Sequence, residues 1–526
     1  MKAIWRQWLT VFCLVLLFSC ADKDKEVDIE PDVEISIDRT SLRVGAISGY
    51  RDSVIIKANM AWKISPVGAP WINISPTDGP AGETLVHLTV VSDATSTRAE
   101  TFSVIPAGSN AAAGTITVEQ KVYSVQWKKN FGGSNSDLCE DVVALSDGYL
   151  FVGLTKSVDG DVDNGIPANA DVDNLFVVKT DLDGNKIWGK SYGSSLDDFG
   201  VSAVQSSDGG YFVGGSTEKK DGDVTGDFHP GSNNSPDFWL MKLDADGNKL
   251  WDKCFGGTKY ETIYSMTQGP SGGVVVVGET DSVDGDLEGL PSDHPFLALS
   301  LDANGQVIWK KRFGKSSADL YPVVTNTSDN GYIMISSSIG DATVSDVFVV
   351  KLDQNGEELW SRIFAGSNED LPWSIIEDDD KNILITGHTF SSDGDFHGNN
   401  GNANIFVLKL NDKGDIIWTK YYGGNSTDQG RAIVNADDGY FLAGVTRSTE
   451  GDLTTAYGNY DNYILKIDKN GEKLWQKSYG GSGIEQLWSA VSTVDDGLVV
   501  GGYSSSSDHD IVDHKGEADF FVLKIK

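Results

Sequence analysis

Short apolar stretches of nearly the same pattern recur along the chain. Each one is a run of large apolar residues flanked by polar residues, and in most copies a single lysine interrupts the run. The copies are NLFVVKTD at 174–181, DFWLMKLD at 237–244, PFLALSLD at 295–302, DVFVVKLD at 346–353, NIFVLKLN at 404–411, DNYILKID at 461–468 and DFFVLKIK at 519–526. Apolar runs of about four to eight residues bounded by turn signals predict buried β-strands.

A tryptophan strand follows each of the first six copies across a tight turn. The seven tryptophans of this kind recur at intervals of 51–63 residues: Trp127, Trp188, Trp251, Trp309, Trp360, Trp418 and Trp475. Two further strand patterns, joined by a turn such as Asp208-Gly209-Gly210, complete each repeat. Four short antiparallel strands per repeat predict an all-β chain with a seven-bladed β-propeller.

The frame of the blades leaves one strand without a partner. We name the strands of a blade A to D, with the apolar run as strand C and the tryptophan strand as strand D. Residues 520–526 then form strand C of blade seven with no strand D after it, whereas VQWKKNFG at 125–132 is a strand D with no strand C before it. We therefore predict that this N-terminal strand closes the last blade, which removes an open sheet edge.

The turn between strands C and D carries a resemblance to a known family. The pattern Leu243-Asp244-x-x-Gly247-x-x-x-Trp251 resembles the tryptophan-docking repeat of quinoprotein-type propellers, with one residue fewer between Asp and Gly. The whole repeat is similar to propellers of Bacteroidota surface lipoproteins. The resemblance implies that the tryptophans pack between blades.

Residues 31–121 show a different pattern. Segments such as RDSVIIKAN and ETLVHLTVV alternate apolar and polar residues and are separated by turn signals, which predicts a small antiparallel β-sandwich. Trp62, Trp71, Pro76, Gly79 and Gln120 stand in a pattern that resembles the BACON family, an Ig-like module of Bacteroidota surface proteins and glycan-degrading enzymes. We expect both tryptophans to lie in the core of this domain. The propeller is predicted to occupy 123–526.

The N-terminus has the pattern of a targeting segment. Lys2 and Arg6 precede a short apolar run, too short to span a bilayer, and Leu17-Phe18-Ser19-Cys20 resembles a bacterial lipobox. This predicts a signal peptide at 1–19, acylation of Cys20 with diacylglyceryl and palmitate groups, and a charged flexible tether at 20–30. The resemblance implies anchoring to the outer membrane at the cell surface; an ordinary signal peptide with a chance cysteine is the alternative.

The net charge and the cysteine content limit the classes of partner and the covalent links to be expected. The formal net charge of −35 argues against nucleic acid, because the phosphate backbone would be repelled. Cys139 and Cys254, the cysteines after Cys20, lie in different repeats and form no disulfide framework. We expect a monomer whose partners are the membrane, through the lipid, and a polysaccharide or surface protein.

The two faces of the propeller differ. The A–B and C–D turns, on what we call the turn face, are short and repetitive. The B–C and D–A loops lie on the opposite face, the loop face, and the B–C loops are long and dissimilar. Because variable loops tend to carry function, we expect the site there.

A carboxylate occupies the same place in every D–A loop: Asp137, Asp198, Glu261, Asp319, Asp370, Asp428 and Glu485. Seven converging carboxylates would repel one another, so we expect each to accept backbone N–H groups within its own blade. A cation-binding ring is the alternative.

Asp-Gly-Asp recurs in the B–C loops. The pairs are Asp159 and Asp161, Asp221 and Asp223, Asp284 and Asp286, and Asp393 and Asp395. Carboxylates spaced in this way could bind Ca²⁺, the one cofactor the sequence suggests, but turns stabilised by aspartate side chains explain the motif equally well.

One inner position changes its residue type from blade to blade. Three residues after each loop carboxylate stand Glu140, Val201, Tyr264, Pro322, Trp373, Arg431 and Trp488. Strand A lines the central channel, so Tyr264, Trp373, Arg431, Trp488 and Glu140 could form a pocket in which aromatic faces stack on sugar rings. Irregular inner packing is the alternative.

No catalytic motif stands out. The sequence has no nucleophile elbow, zinc-type histidine cluster or phosphate-binding loop. The leading hypothesis is a lipid-anchored surface protein that binds a glycan or protein partner without catalysis. The alternatives are a carbohydrate-active lyase or hydrolase with acids at the channel mouth, and a structural or assembly lipoprotein of the outer membrane.

Overall fold

The structure is a computed structural model of the 526-residue chain. It describes residues 33–164, 172–231, 234–292, 295–314, 320–338, 344–400, 402–452 and 457–526. Cys20, the predicted signal peptide at 1–19 and the predicted tether at 20–30 lie outside these ranges. In the described part, no helix has the length and apolar character needed to cross a membrane.

The first part of the chain forms two five-stranded sheets that share one core, a β-sandwich. One sheet has the order β1-β3-β8-β6-β5 and the other β2-β10-β9-β4-β7. The strands are β1 (Ile35–Ile37), β2 (Ser41–Val44), β3 (Arg51–Ala58), β4 (Trp62–Ser65), β5 (Gly68–Ala69), β6 (Ile72–Ser75), β7 (Asp78–Gly79), β8 (Gly82–Val90), β9 (Arg98–Pro106) and β10 (Gly114–Gln120). Trp62 and Trp71 lie buried in its core, as the sequence predicted.

Seven four-stranded antiparallel sheets follow and form the propeller. Blades one to three are β12 (Asp137–Ala144), β13 (Gly148–Thr155), β14 (Asn174–Asp181) and β15 (Lys186–Tyr192); β16 (Asp198–Gln205), β17 (Tyr211–Thr217), β18 (Asp237–Leu243) and β19 (Lys249–Phe255); and β20 (Glu261–Gln268), β21 (Val274–Thr280), β22 (Phe296–Leu301) and β23 (Val307–Phe313). Blades four to six are β24 (Leu320–Asn326), β25 (Tyr332–Ser338), β26 (Asp346–Leu352) and β27 (Glu358–Phe364); β28 (Asp370–Glu377), β29 (Ile383–Thr389), β30 (Asn404–Leu410) and β31 (Ile416–Tyr422); and β32 (Asp428–Ala436), β33 (Gly439–Thr446), β34 (Asp461–Asp468) and β35 (Lys473–Tyr479). Short 3-10 turns occur at Pro270–Gly272, Gly285–Leu287 and Gly394–Phe396.

Blade seven is built from both ends of the propeller sequence. Its strands are β36 (Glu485–Ser492), β37 (Leu498–Ser504), β38 (Asp519–Ile525) and β11 (Val125–Phe131). The order is β11-β38-β37-β36, with Phe131 opposite Phe520 and Val125 opposite Ile525. The predicted closure by the N-terminal strand is therefore confirmed, and with it the seven-bladed propeller.

The C strands are apolar along nearly their whole length, without polar alternation, because neighbouring blades cover both faces of each blade. In β18 and β30, for example, every residue is buried. Fully burying one large aliphatic or aromatic side chain contributes about 1.5–3 kcal/mol, so these C strands supply much of the stability of the ring.

The tryptophans of the D strands dock on the next blade. A Cβ added to Gly247, which has a φ of +74°, would come within 2.9 Å of the Trp188 ring. Trp127 meets Gly184 in the same way and donates from Nε1 to the carbonyl oxygen of Leu182, at 3.2 Å. This confirms the predicted role of these tryptophans between blades.

The sandwich is fixed to the turn face of the propeller. Arg43 Nη1 and Lys121 Nζ each lie 2.6 Å from the carboxylate of Asp496, in the A–B turn of blade seven. The hydroxyl of Tyr50, just before β3, donates to Asp468 at 3.2 Å.

The chain enters the sandwich far from this junction. At the other end of β3, Ala58 pairs with Ile35, near the first described residue. Eight residues of strand, at roughly 3.3 Å each, separate the chain entry from the propeller. The loop face points away from the sandwich.

Candidate functional site

A β-bulge interrupts strand A in every blade near its start. The A strands of neighbouring blades contact one another around a closed circle, so they surround the central channel. The bulged residues are Glu140, Val201, Tyr264, Tyr321 with Pro322, Trp373, Arg431 and Trp488. A bulge adds one residue to a strand and redirects its side chain. The variable position noticed in the sequence is thus the bulge position.

These residues line one cavity of about 570 Å³ at the centre of the propeller. The lining includes Glu140, Val201, Tyr264, Tyr321, Trp373, Arg431 and Trp488. Tyr260, in the D–A loop of blade three, also lines the cavity and is 43% exposed, so the cavity opens on the loop face. The structure therefore brings together all five residues that the sequence suggested for a pocket.

Blade four departs from the expected register. The sequence placed Pro322 at the inner position, but Tyr321 lines the cavity instead. The bulge here spans two residues, and Tyr321 has a φ of +59°. Its N–H donates to Glu279 Oε1 at 2.8 Å. Burial of this carboxyl group raises the pKa of Glu279 to about 6. Tyr321 rather than Pro322 faces the cavity because a second bulged residue shifts the inward-facing side chain by one.

Four aromatic rings form a continuous wall. The ring centroids of Tyr264 and Tyr321 lie 5.5 Å apart, edge to face, and those of Tyr321 and Trp373 lie 5.3 Å apart. Trp373 and Trp488 follow at 6.3 Å. Pairs at these distances favour one another beyond the area they bury.

Arg431 is held between the two indoles. Its Cζ lies 4.1 Å from the Trp373 ring centroid and 4.2 Å from that of Trp488. Nη2 donates to Gln429 Oε1 at 2.7 Å, whereas Nε and Nη1 have no hydrogen-bond partner among the described residues. The residue is 8% exposed. Burial lowers the pKa of Arg431 to about 10, which leaves it charged at neutral pH.

His388 supports the orientation of Trp373. The indole Nε1 donates to His388 Nδ1 at 3.1 Å, and the two rings stack with a 13° tilt. Burial, together with the nearby charge of Arg431, lowers the pKa of His388 to about 3. The imidazole is therefore neutral and carries its proton on Nε2.

Two consecutive acids of blade one, Glu140 and Asp141, line the cavity beside blade seven. Burial raises the pKa of Glu140 to about 7, although the charge of Arg431 opposes the shift. Asp141 accepts from Ser489 Oγ at 2.8 Å, Ser202 Oγ at 3.1 Å, and the N–H groups of Ala203 at 3.0 Å and Val142 at 2.8 Å. Asp141 thus ties blades one, two and seven together, while Glu140 is left to face the cavity.

The D–A loop carboxylates have a structural role. Asp137 Oδ2 accepts from the N–H of Gly133 at 2.8 Å, and the same contact recurs in the other blades that the structure describes at this position. Hydroxyl groups from the end of strand B complete the shell, as Thr280 does for Glu261 at 2.7 Å. These contacts confirm, for the acids that the structure describes, the expectation that each accepts a backbone N–H within its own blade; Asp319 lies outside the described residues.

The Asp-Gly-Asp pairs hold the D–A loop of the same blade. The first aspartate accepts a loop N–H, as Asp159 does from Ser134 at 2.8 Å, and the second accepts an earlier one, as Asp161 does from Gly132 at 3.1 Å. The equivalent acceptors are Asp221, Asp223, Asp284, Asp286, Asp393 and Asp395. Within the described ranges, no three His, Cys, Asp or Glu side chains are grouped to hold a metal ion. Calcium binding stays a prediction.

Sequence reasoning missed Tyr321, His388 and Asp141. His388 lies in strand B, where no repeat position singled it out, and its role depends on Trp373 in the adjoining strand. Asp141 follows Glu140 directly, and its position in other blades is mostly serine, so the change to an acid was a usable signal.

Comparisons with known proteins give distant likenesses. No family model matches the chain. The regulatory protein FlaEY of Caulobacter vibrioides is 25% identical over 364 residues, which are 61% of this chain and 37% of that protein. An uncharacterized WD repeat-containing protein of Acanthamoeba polyphaga mimivirus is 21% identical over 438 residues, 64% of this chain and 32% of that protein. The chain thus spans about a third of the length of these curated relatives.

Among solved structures, the WD40 domain of Neurospora crassa Pan2 matches with 8% identity and a TM-score of 0.41, covering 76% of this chain and 96% of that one. The propeller assignment rests on the sheet order and strand closure described above.

Proposed function

We propose that the protein is a lipid-anchored surface protein that binds a glycan in the central cavity of its propeller, without catalysis. The observation that carries this is the wall of four aromatic rings beside a cavity of about 570 Å³ that opens on the loop face. Aromatic faces offer flat apolar surface to the C–H face of a sugar ring, and the polar groups around them can fix its hydroxyl groups.

We propose that a lipid on Cys20 anchors the protein to the membrane. The lipobox-like Leu17–Cys20 would place the lipid before the sandwich, and the sandwich lies between the chain entry and the turn face. A protein tethered in this way would present its loop face outward. Labelling cells with radioactive palmitate tests the anchor, because a Cys20→Ser variant should lose the label.

A glycan array tests binding. The mature chain with Cys20→Ser is applied in Ca²⁺ and again in EDTA, beside variants Trp373→Ala and Trp488→Ala. We expect saturable binding to a sugar and roughly a five- to tenfold loss of affinity in each variant, because each stacked aromatic contributes on the order of 1–1.5 kcal/mol. Loss of the signal in EDTA would extend the proposal to calcium.

Trp309→Ala is the matched control. Trp309 also packs in the propeller, against Gly356, but lies outside the cavity. It should lower the melting temperature and leave sugar binding intact. Sugar binding that survives in the two cavity variants would contradict the proposal, and a blank array would direct the search to a protein partner.

Catalysis is the second candidate, because Glu140 has the raised pKa of a general acid. Asp141, however, is engaged by four donors and is not free to act as a base or nucleophile. We therefore expect the bound sugar to be recovered unchanged after prolonged incubation, and product formation that Glu140→Gln abolishes would replace binding by hydrolysis or elimination.

A further inference from the structure

We infer that the ligand of the central cavity is an acidic sugar whose carboxylate pairs with Arg431. This inference rests on the proposed function and names the class of glycan. It is carried by the state of the Arg431 side chain rather than by the aromatic wall.

The guanidinium keeps two of its nitrogens for a ligand. Trp373 and Trp488 lie 4.1 and 4.2 Å from its Cζ, with their ring centroids 6.3 Å apart, and Gln429 occupies Nη2. Nε and Nη1 have no partner in the part of the chain that the structure describes, although the side chain is more than nine-tenths buried. A buried charged donor without an acceptor is unfavourable, so an anion entering the cavity would be bound strongly there.

The protein's own acids do not fill this role. No carboxylate lies within 4.0 Å of the Arg431 nitrogens among the described residues. Glu140 attracts Arg431 only from beyond this distance, and Asp141 is saturated by two hydroxyl and two N–H groups. The positive charge of Arg431 is therefore available to a ligand.

A carboxylate on a sugar fits better than an acidic peptide. Planar guanidinium groups pair well with carboxylates, and the rings that flank Arg431 offer stacking surface beside that carboxylate. The net charge of −35 repels a polyacidic chain at long range but hardly opposes one carboxylate seated on an arginine.

Calorimetric titration of the mature chain with matched sugars tests the inference. The probes are glucuronic and galacturonic acid, their methyl esters, and glucose and galactose, each free and as the terminal residue of a disaccharide. We expect at least one acid to bind about ten- to a hundredfold more tightly than its ester and its neutral counterpart, as a charge-assisted hydrogen bond implies.

Two arginine variants complete the test. Arg431→Met should remove the preference for the acid, whereas Arg447→Met should keep it. Arg447 is an exposed arginine on the loop face that stacks on Tyr460 at 5.1 Å, and it controls for general attraction of anions. If Arg431→Met fails to fold, the comparison of acid and ester in the unaltered chain still decides the question.

The outcomes separate the two proposals. Equal binding of acid, ester and neutral sugar would overturn the acidic-sugar inference and leave glycan binding standing. Binding of no sugar would overturn both. Binding of carboxylate-bearing peptides in place of sugars would also overturn the inference.

Discussion

Glu140 illustrates how burial sets the chemistry of single residues in this cavity. Its carboxyl group has a raised pKa of about 7 because burial disfavours the charge, and Arg431, Asp141 and Tyr503 are the titratable groups that interact with it. An unfolded glutamate loses its proton near its usual pKa of 4.5. The folded state therefore binds more protons between about pH 4.5 and 7, and its stability falls as the pH rises through that range.

The variant Glu140→Gln should abolish this contribution. We expect the variant to gain stability relative to the unaltered chain between pH 5 and pH 8, because its amide does not ionise. Urea unfolding at both pH values measures the difference. A difference that does not change with pH would show that Glu140 is not buried as described.

The residues of the pocket were predictable only in part. Glu140, Tyr264, Trp373, Arg431 and Trp488 stood out because one repeat position varied while its neighbours did not. The placement of Arg431 between two indoles was not predictable, because it depends on side chains from three blades that meet only in the closed ring.

At the scale of strands and turns, the glycine of the C–D turn joins one blade to the next. Gly184 has a φ of +73°, and a Cβ added there would approach the Trp127 ring to 2.9 Å. Trp127 belongs to β11, so this contact holds the closing strand against blade one.

Gly184→Ala should destabilise the protein by more than Gly209→Ala. Gly209 also has a positive φ, of +85°, but nothing lies within 4 Å of the added Cβ. We expect about 1 kcal/mol of loss from the backbone alone in Gly209→Ala and about 1–2 kcal/mol more in Gly184→Ala. Urea unfolding measures both, and equal losses would show that Trp127 makes no close contact with the turn.

The strand plan was predictable from the sequence because each blade repeats the same local signals. The apolar run, the Asp-x-x-Gly turn and the tryptophan fixed the frame, and the unpaired ends then required closure by β11. The inward-facing residue of blade four was not predictable, because the two-residue bulge at Tyr321 and Pro322 does not change the spacing of the repeat.

At the scale of the whole molecule, ion pairs join the sandwich to the propeller. Asp496 forms ion pairs with Arg43 and Lys121, each at 2.6 Å, and its side chain is 12% exposed. Burial acts to raise the pKa of Asp496, but Lys121 and Arg43 outweigh it and hold the pKa below its usual range.

Asp496→Asn should loosen this junction. The amide keeps the shape and tolerates the positive φ of 59° at this position, but it takes the counter-charge from Lys121 and leaves Arg43 with Glu119 and Asp438 alone. We expect a loss of about 1–2 kcal/mol and faster proteolysis between residues 120 and 125. Asp495→Asn is the control, since Asp495 forms ion pairs with Lys524 and Lys526, which belong to the propeller. Equal cleavage of both variants would mean that the junction does not depend on Asp496.

We propose that the propeller binds a sugar at the mouth of its channel, on the loop face. A crystal structure of the mature chain with the tightest-binding sugar is the decisive experiment. We predict that the sugar lies against Trp373 and Trp488 with its carboxylate on Arg431. A sugar found only on the outer B–C loops, or a cavity without sugar at saturating concentration, would contradict the account.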